Sequence, residues 1–180
     1  SLEKKHNIYY VLVDHNLRRN SSKEALSVKK LLKKYQINLN ILKNKKKILK
    51  NIQGKARQAR YNLITDFCKK KNIQNVLTAH NLEDQVETFF IRLSRGSGLQ
   101  GLSSMKSTSK ISNNINLIRP LLDVEKKKLI IISKRVFGRF VKDPSNKNIK
   151  YLRTRIRSLK RPLEKSGVSY KQIIKSIKNL

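Results

Sequence analysis

Short apolar runs alternate along the chain with segments of helical periodicity. The runs at residues 8–13 and 76–79 are almost wholly apolar, as expected of strands buried on both faces of a parallel sheet. Residues 37–41 alternate between aliphatic side chains and asparagine, which is typical of a half-buried edge strand. Residues 115–118 have the composition of a last strand. The pattern therefore predicts four strands.

Helical repeats follow these runs. Apolar residues recur at three- and four-residue steps and predict helices at about 22–35 and 53–70 and a third that starts after Asn81. Asp123 is placed to cap a fourth helix that reaches about residue 134. The order of elements favours an α/β fold with an open parallel sheet and helices on both faces.

Three further segments complete this outline. Glycines in Arg95-Gly-Ser-Gly-Leu-Gln-Gly-Leu102 mark a change of chain direction, and a loop rich in Ser, Asn and Lys is expected to run to Asn114. Residues 143–146 are typical of a turn. Residues 151–180 predict a basic helical tail, which would link to a further domain.

The polar residues after the predicted strands are candidates for ligand binding. Ligands of open parallel sheets bind at the carboxyl ends of the strands. Asp14 and His15 follow the first run, and His80 and Asn81 follow the third. Asp84 and Glu87 lie three apart on the next helix, so their carboxylates share a face and can hold Mg²⁺ or an ammonium. The alternative is that acidic residues in a first turn only complement the helix dipole.

The charge of the chain indicates a polyanionic partner. It has 43 Lys and Arg against 11 Asp and Glu, a net charge of +32, which favours nucleic acid first and a membrane surface second. The apolar runs are too short to cross a bilayer, and no membrane partner is expected. The only cysteine, Cys68, allows neither an internal disulfide nor a zinc site made of several cysteines. A reduced compartment suits this composition, either a bacterial cytoplasm or the matrix of an organelle.

Several motifs resemble those of the tRNA(Ile)-lysidine synthetases in order and spacing. They are Val13-Asp-His-Asn-Leu-Arg18, Ala56-Arg-Gln-Ala-Arg60-Tyr61, Ala79-His-Asn-Leu-Glu-Asp84-Gln-Val-Glu87-Thr88, Arg95-Gly-Ser-Gly-Leu-Gln-Gly-Leu102, Arg119-Pro-Leu-Leu122, Asp143-Pro-Ser-Asn146 and Arg153-Thr-Arg-Ile-Arg157. The family usually has Asn where this chain has Thr154. The resemblance covers nearly the whole chain and implies the PP-loop ATP pyrophosphatase fold.

The resemblance also implies an activity. Members of this family use ATP to adenylate the C2 position of the wobble cytidine in a tRNA(Ile) with a CAU anticodon, and free lysine then displaces AMP to give lysidine. The implied cofactors are ATP and Mg²⁺, and the implied partners are that tRNA and L-lysine. Whether the protein forms a homo-oligomer is left open.

Roles for individual residues follow from the same resemblance. It implies catalytic roles for Arg60, Asp84 and Glu87, with the two carboxylates as Mg²⁺ ligands or as orienting groups for lysine. It implies ATP binding by Val13, Asp14, His15, His80, Gly96 and Gly98. Three basic side chains are expected to contact tRNA phosphates, with a solvated helix face as the alternative, namely Arg153, Arg155 and Arg157.

One departure limits these expectations. The family's Ser-Gly-Gly-x-Asp-Ser loop, which grips the phosphates after a first strand, has no counterpart before Val13. We therefore expect residues 1–150 to be a partial PP-loop domain without its first strand, and residues 1–180 alone to be inactive and weakly folded. A noncatalytic RNA-binding fragment or split subunit is one alternative. A tRNA thiolase is another, although Cys68 alone cannot supply the paired cysteines or iron–sulfur centre that thiolases generally use.

Overall fold

The computed structural model describes residues 8–50, 52–141 and 148–180. The chain divides into two compact units, one made of Ser1–Gln74 with Ile111–Ile115 and the other of Asn75–Lys110 with Asn116–Leu180. The turn expected at residues 143–146 lies outside the described residues.

The first unit has a βαβα order. It contains β1 (Tyr10–Asp14), α1 (Ser21–Lys33), β2 (Leu39–Lys43) and α2 (Ile52–Lys70). The two strands pair in parallel, from Tyr10 opposite Leu39 to Asp14 opposite Lys43. Parallel neighbours need a crossover connection, usually a helix, because a tight turn would leave the second strand antiparallel to the first. The predicted strands and helices of this unit are confirmed within two residues at most boundaries.

Local contacts set the start of α1 and the end of α2. Asn20 precedes α1 without a side-chain cap, and Glu24 in the first turn forms an ion pair with Arg18 at 3.0 Å. The helix α2 is followed by Asn72, whose φ of +53° is left-handed, and the N–H of Ile73 then donates to Cys68 O at 2.8 Å. That hydrogen bond closes the end of the helix.

The second unit combines a small sheet with six helices among the described residues. Its elements are β3 (Asn75–Leu77), α3 (Leu82–Leu93), α4 (Leu99–Leu102), β4 (Thr108–Ser112), β5 (Ile115–Ile118), α5 (Lys126–Phe137), α6 (Leu152–Ser158), α7 (Lys160–Lys165) and α8 (Tyr170–Lys178), except that the end of β4 and the start of β5, within Ile111–Ile115, are counted with the first unit. The strand order is β3-β5-β4, and β3 and β5 are parallel. The α/β class with parallel strand pairs is therefore confirmed.

The loop expected to run to Asn114 is wrong in part. Residues 108–112 form β4, which a turn at residues 113–114 connects to β5. The strand contains only one aliphatic residue, Ile111, so its composition resembles that of a loop. Pairing with β5 makes it a strand, since hydrogen bonds to a neighbour outweigh a weak local preference.

The core of the second unit joins its first long helix to its last. Leu82 and Val86 of α3 pack with Tyr170, Ile173, Ile174 and Ile177 of α8, and Phe89, Phe90 and Leu163 lie against them. The apolar residues of α8 recur at three- and four-residue steps and so form one buried face. The helical character of the tail is thus seen, while a domain boundary at residue 150 stays a prediction.

Among the helices of the described ranges, none has both the length and the apolarity to cross a membrane.

Candidate functional site

The first unit presents a polar cluster at the carboxyl end of β1. Asp14 is buried and accepts hydrogen bonds from Ser22 Oγ at 2.6 Å and from the N–H of Asn16 at 2.9 Å. Burial alone would raise the pKa of this carboxyl, but the hydrogen bonds from Ser22 and Asn16 outweigh it and hold the pKa below its usual value. Asp14 is therefore a fixed, charged end to the strand.

His15 and Arg60 meet beside Asp14. The Nε and Nη2 atoms of Arg60 lie 3.4 and 3.3 Å from His15 Nε2. A guanidinium only donates, so Nε2 accepts and the imidazole proton is on Nδ1. Burial and the positive charge of Arg60 both lower the pKa of His15, which keeps the ring neutral. The Nδ1 atom is buried without a hydrogen-bond partner.

The second unit places the predicted carboxylates on α3. Asn81 caps this helix, because its side chain accepts from the N–H of Asp84 at 3.1 Å and its own N–H donates to Asp84 Oδ2 at 3.1 Å. This capping box uses one Asp84 oxygen inside the helix terminus. Asp84 therefore stabilises the start of α3 as a partner of its cap, whereas the helix-dipole role given as the alternative stays a prediction.

Glu87 lies one turn further along α3 and pairs with α6. Its side chain is 0% exposed, and Arg157 donates to it twice, from Nε to Oε1 at 2.6 Å and from Nη2 to Oε2 at 3.0 Å. Arg153 Nε is 3.3 Å from Oε2, an ion-pair distance without the geometry of a hydrogen bond. Arg153 also donates from Nη2 to Thr88 Oγ1 at 3.2 Å. One carboxylate therefore holds two arginines.

The electrostatics of this cluster depend on burial. Burial raises the pKa of Glu87, the bond from Arg157 opposes that rise, and the neighbouring Asp84 adds to it. The same hydrogen bond raises the pKa of Arg157. Burial, followed by the negative charge of Glu87, also raises the pKa of Tyr170 to about 12, and the Tyr170 hydroxyl is buried without a hydrogen-bond partner.

The remaining predicted residues have more open positions. His80 Nδ1 lies 2.9 Å from Thr78 Oγ1. Arg155 is exposed and donates from Nη1 to the carbonyls of Ile149 and Lys150, both at 3.3 Å. Only two of the three arginines of α6 therefore face Glu87, and Arg155 faces away from it.

The predicted glycines differ in what they require. Gly96 has a φ of +68°, a left-handed conformation that glycine adopts without strain, and its N–H donates to Leu93 O at the end of α3. Gly98 has an ordinary φ of −68° and open space around its Cα. A Cβ at Gly101, by contrast, would lie 2.8 Å from Ser97 Cβ. A close approach is therefore seen at Gly101, outside the predicted set.

Sequence reasoning missed the side chains that shape the segment after α3. Gln85 is buried and makes two hydrogen bonds to the backbone of Met105, both at 2.8 Å. Its Nε2 donates to the Met105 carbonyl, and its Oε1 accepts from the Met105 N–H. Arg92 Nη1 donates to Gly101 O at 2.5 Å and to Ser104 O at 2.8 Å. Ser104 is held there with a φ of +60°. A glutamine on the apolar side of a helix was the only available signal.

The implied ligands fit these residues unequally. The orphaned Nδ1 of His15, at the end of β1 and after Val13, is a donor that suits a nucleotide base or phosphate. Mg²⁺ fits less well, because Arg157 occupies both oxygens of Glu87 and Asp84 is part of a helix cap. Within the described residues no cluster of three or more His, Cys, Asp or Glu side chains could hold a metal.

Comparisons with known proteins identify the family of the chain and several relatives. A family model described as a PP-loop domain matches residues 1–163. The chain is 40% identical over 155 residues to a tRNA(Ile)-lysidine synthase of Orientia tsutsugamushi, covering 84% of this chain and 34% of that protein. It is 39% identical over 158 residues to one from Bradyrhizobium diazoefficiens, covering 87% and 44%. The chain thus spans less than half the length of these relatives.

A solved structure shares the fold. The U34-tRNA thiolase NcsA from Methanococcus maripaludis, solved with its 4Fe–4S cluster, superposes with a TM-score of 0.74 at 15% identity. The superposition covers 96% of this chain and 62% of the thiolase. Similarity at this level concerns the fold alone.

Proposed function

The chain belongs to the PP-loop domain family, and we propose that it carries the catalytic part of a tRNA(Ile)-lysidine synthase. The proposed reaction joins L-lysine to C2 of the wobble cytidine in a tRNA(Ile) with a CAU anticodon. The observation that carries the proposal is the 37–41% identity to tRNA(Ile)-lysidine synthases over more than four fifths of this chain. The order of motifs along the chain supports it.

The reaction has two steps. The C2 oxygen of the cytidine attacks the α-phosphorus of ATP, and diphosphate leaves. The lysine amine nitrogen then forms a bond to C2, and AMP leaves with the former C2 oxygen. ATP thus supplies a leaving group for an oxygen that would otherwise not depart.

The first unit is proposed to bind the nucleotide. Arg60 is the cation of its cluster, and a guanidinium stabilises negative charge that develops on a phosphate. His15 accepts from Arg60 and so fixes the orientation of the guanidinium. The buried Asp14 ends the strand next to both residues. Val13 remains a proposed contact to ATP in this unit, and His80, Gly96 and Gly98 of the second unit each remain a proposed contact to ATP.

The second unit is proposed to act on lysine and tRNA. Asp84 supplies negative charge that attracts and orients an ammonium. Glu87 is fully buried and paired with Arg153 and Arg157, so its part in the reaction passes through those two arginines. Arg155 is exposed and suits a phosphate of the tRNA backbone. Arg153 and Arg157 are also proposed to contact tRNA phosphates, and both pair with Glu87 on their other side.

The thiolase alternative requires chemistry that these 180 residues do not supply. Iron–sulfur clusters are held by several cysteine thiolates. The sequence contains one cysteine, Cys68, which is buried and whose thiol pKa is raised by that burial. A noncatalytic RNA-binding role is the second candidate, because the net charge of +32 is sufficient for salt-dependent RNA binding by itself.

Lysine incorporation separates these functions. The full-length protein is incubated with ATP, labelled lysine and transcripts of tRNA(Ile) that differ only in a CAU or a GAU anticodon. A lysidine synthase labels the CAU transcript and leaves the GAU transcript unlabelled. An RNA-binding module binds both transcripts in a salt-sensitive way and labels neither, which would refute the proposal.

A further inference from the structure

The contacts of Glu87 define which of its atoms can meet a ligand. Arg157 donates to both carboxylate oxygens at 2.6 and 3.0 Å, and Arg153 lies 3.3 Å from Oε2. Such side-on, two-point pairing fixes a guanidinium in direction as well as in position. Both oxygens of Glu87 accept from Arg157, and the side chain is 0% exposed to solvent.

Burial shows which partner is accessible. The Glu87 side chain is 0% exposed, whereas those of Arg157 and Arg153 are 30% and 37% exposed. Mg²⁺ requires near-octahedral coordination and usually retains several of its waters, so it binds carboxylates that water can reach. The accessible groups of this cluster are therefore two cations, and the carboxylate lies behind them.

The neighbours of Glu87 hold the arrangement in place from three helices. On α3, Thr88 accepts from Arg153 at 3.2 Å, and Asp84 is engaged in the helix cap. The α6 helix carries both arginines four residues apart, so they lie on one face. From α8, Tyr170 packs into the core next to Leu82 and Val86, which flank Glu87 along α3. The arginines thus project from a rigid base.

We propose that Glu87 is a positioning residue: it anchors Arg157 and Arg153 so that their exposed edges bind a phosphate group, and it is not a ligand of Mg²⁺. The proposed function enters only through the source of that phosphate, which is either the tRNA backbone or the polyphosphate of ATP. A buried acid between two arginines fixes their spacing and prevents them from turning into solvent.

Binding measurements on the full-length protein test this role without requiring catalysis. The variant Glu87→Gln keeps the shape of the side chain and removes its charge. The matched control is Glu24→Gln, which removes a carboxylate from an exposed arginine pair with Arg18. Three probes are titrated into each variant, namely Mn²⁺ as a reporter of Mg²⁺ sites, ATP, and a tRNA(Ile) transcript.

The proposal predicts that Glu87→Gln weakens one phosphate ligand about tenfold, a typical effect of losing an orienting partner, and leaves Mn²⁺ affinity unchanged. Glu24→Gln changes none of the three. Loss confined to the transcript assigns the arginines to the RNA backbone, and loss confined to ATP assigns them to the nucleotide. A large loss of Mn²⁺ affinity with unchanged ATP and transcript affinity would overturn the proposal, as would no change with any probe.

A double-mutant comparison separates positioning from folding. Arg157→Lys keeps the positive charge but loses the planar guanidinium, so it should weaken binding of the same phosphate ligand as Glu87→Gln does. If the two residues act as one unit, the double variant should bind that ligand no more weakly than either single variant. Should Glu87→Gln fail to fold, Glu87→Asp takes its place, because it keeps the charge but moves the carboxylate away from the arginines, and it should weaken the same phosphate ligand without changing Mn²⁺ affinity. Additive losses in the double variant would show that Arg157 binds phosphate independently of Glu87.

Discussion

Arg60 and His15 are 45 residues apart in the chain, yet both Nε and Nη2 of the arginine lie within 3.4 Å of the histidine Nε2. The contact joins α2 to the end of β1 inside the first unit. Because a histidine can accept from a guanidinium only when that nitrogen carries no proton, the pair defines one tautomer of the ring. A neutral histidine therefore orients the cation that we assign to the nucleotide.

Replacing Arg60 tests that assignment. We expect Arg60→Ala to lower kcat/KM for lysine incorporation about 100-fold, in the range found when one charge-stabilising donor is removed from an active site. Arg57→Ala is the control, because Arg57 lies on the same helix and only stacks over Tyr61, at 5.0 Å from the ring centroid. Equal losses in the two variants would show that the helix needs its charge in general and Arg60 in no special way.

The neutral state of His15 predicts a dependence of stability on pH. Its folded pKa is below the ordinary 6.5, through burial and Arg60, while the nearby Asp14 opposes the shift. The unfolded chain therefore gains a proton first as the pH falls below about 6.5, and the folded state loses stability from there downward. Denaturant unfolding at about pH 7.5 and pH 5.5 measures the loss.

His15→Gln is the corresponding variant, because an amide oxygen also accepts from Arg60 but does not titrate. We expect its free energy of unfolding to change less between these two pH values than that of the wild type. A wild-type loss that persists undiminished in His15→Gln would assign the effect to other groups.

Gln85 is predicted to stabilise the segment that follows α3. The variant Gln85→Leu leaves the N–H and carbonyl of Met105 without their partner, which typically costs about 1–3 kcal/mol for each buried group. Gln58→Leu removes only an exposed bond to Asn62 and should be near neutral. The free energies of unfolding in urea compare the two, and a neutral Gln85→Leu would contradict the account of this segment.

The sequence pattern predicted those elements whose stability depends on contacts within a short segment of the chain. The helix α2 was expected at 53–70 and is Ile52–Lys70, because its apolar spacing and the stop at Asn72 lie within the segment itself. Asn81 precedes α3 as its cap for the same reason. The parallel pairing of β1 with β2 also follows from the sequence, since two neighbouring strands joined by one helix are normally parallel.

Contacts between distant residues could not be predicted in this way. From the sequence, Arg153 and Arg157 are expected on a solvated or RNA-binding face of a helix. Only the fold brings them into contact with Glu87, which is 70 residues from Arg157 in the chain. The strand β4 was missed because its stability comes from β5 and not from its own composition. Gln85 gave a weak signal, since a polar residue on an apolar face does not identify its partner.

The last helix is predicted to stabilise the second unit and not to act as a loose linker. Ile174 is buried in the core shared with α3, so Ile174→Ala should cost about 2–5 kcal/mol, as for other large-to-small changes in a core. Lys175→Ala, on the exposed face of the same helix, should be near neutral. Equal stability of the two variants would show that α8 does not dock on α3 in solution.

The most direct test of the proposed reaction follows the phosphate of ATP. The full-length protein is incubated with a CAU transcript of tRNA(Ile) and ATP labelled at the α-phosphate, first without lysine and then with it. The account predicts that label enters the tRNA in the first stage and is released as AMP in the second, with one lysine incorporated for each AMP. A tRNA that binds but never acquires label, or lysine that releases none, would contradict it.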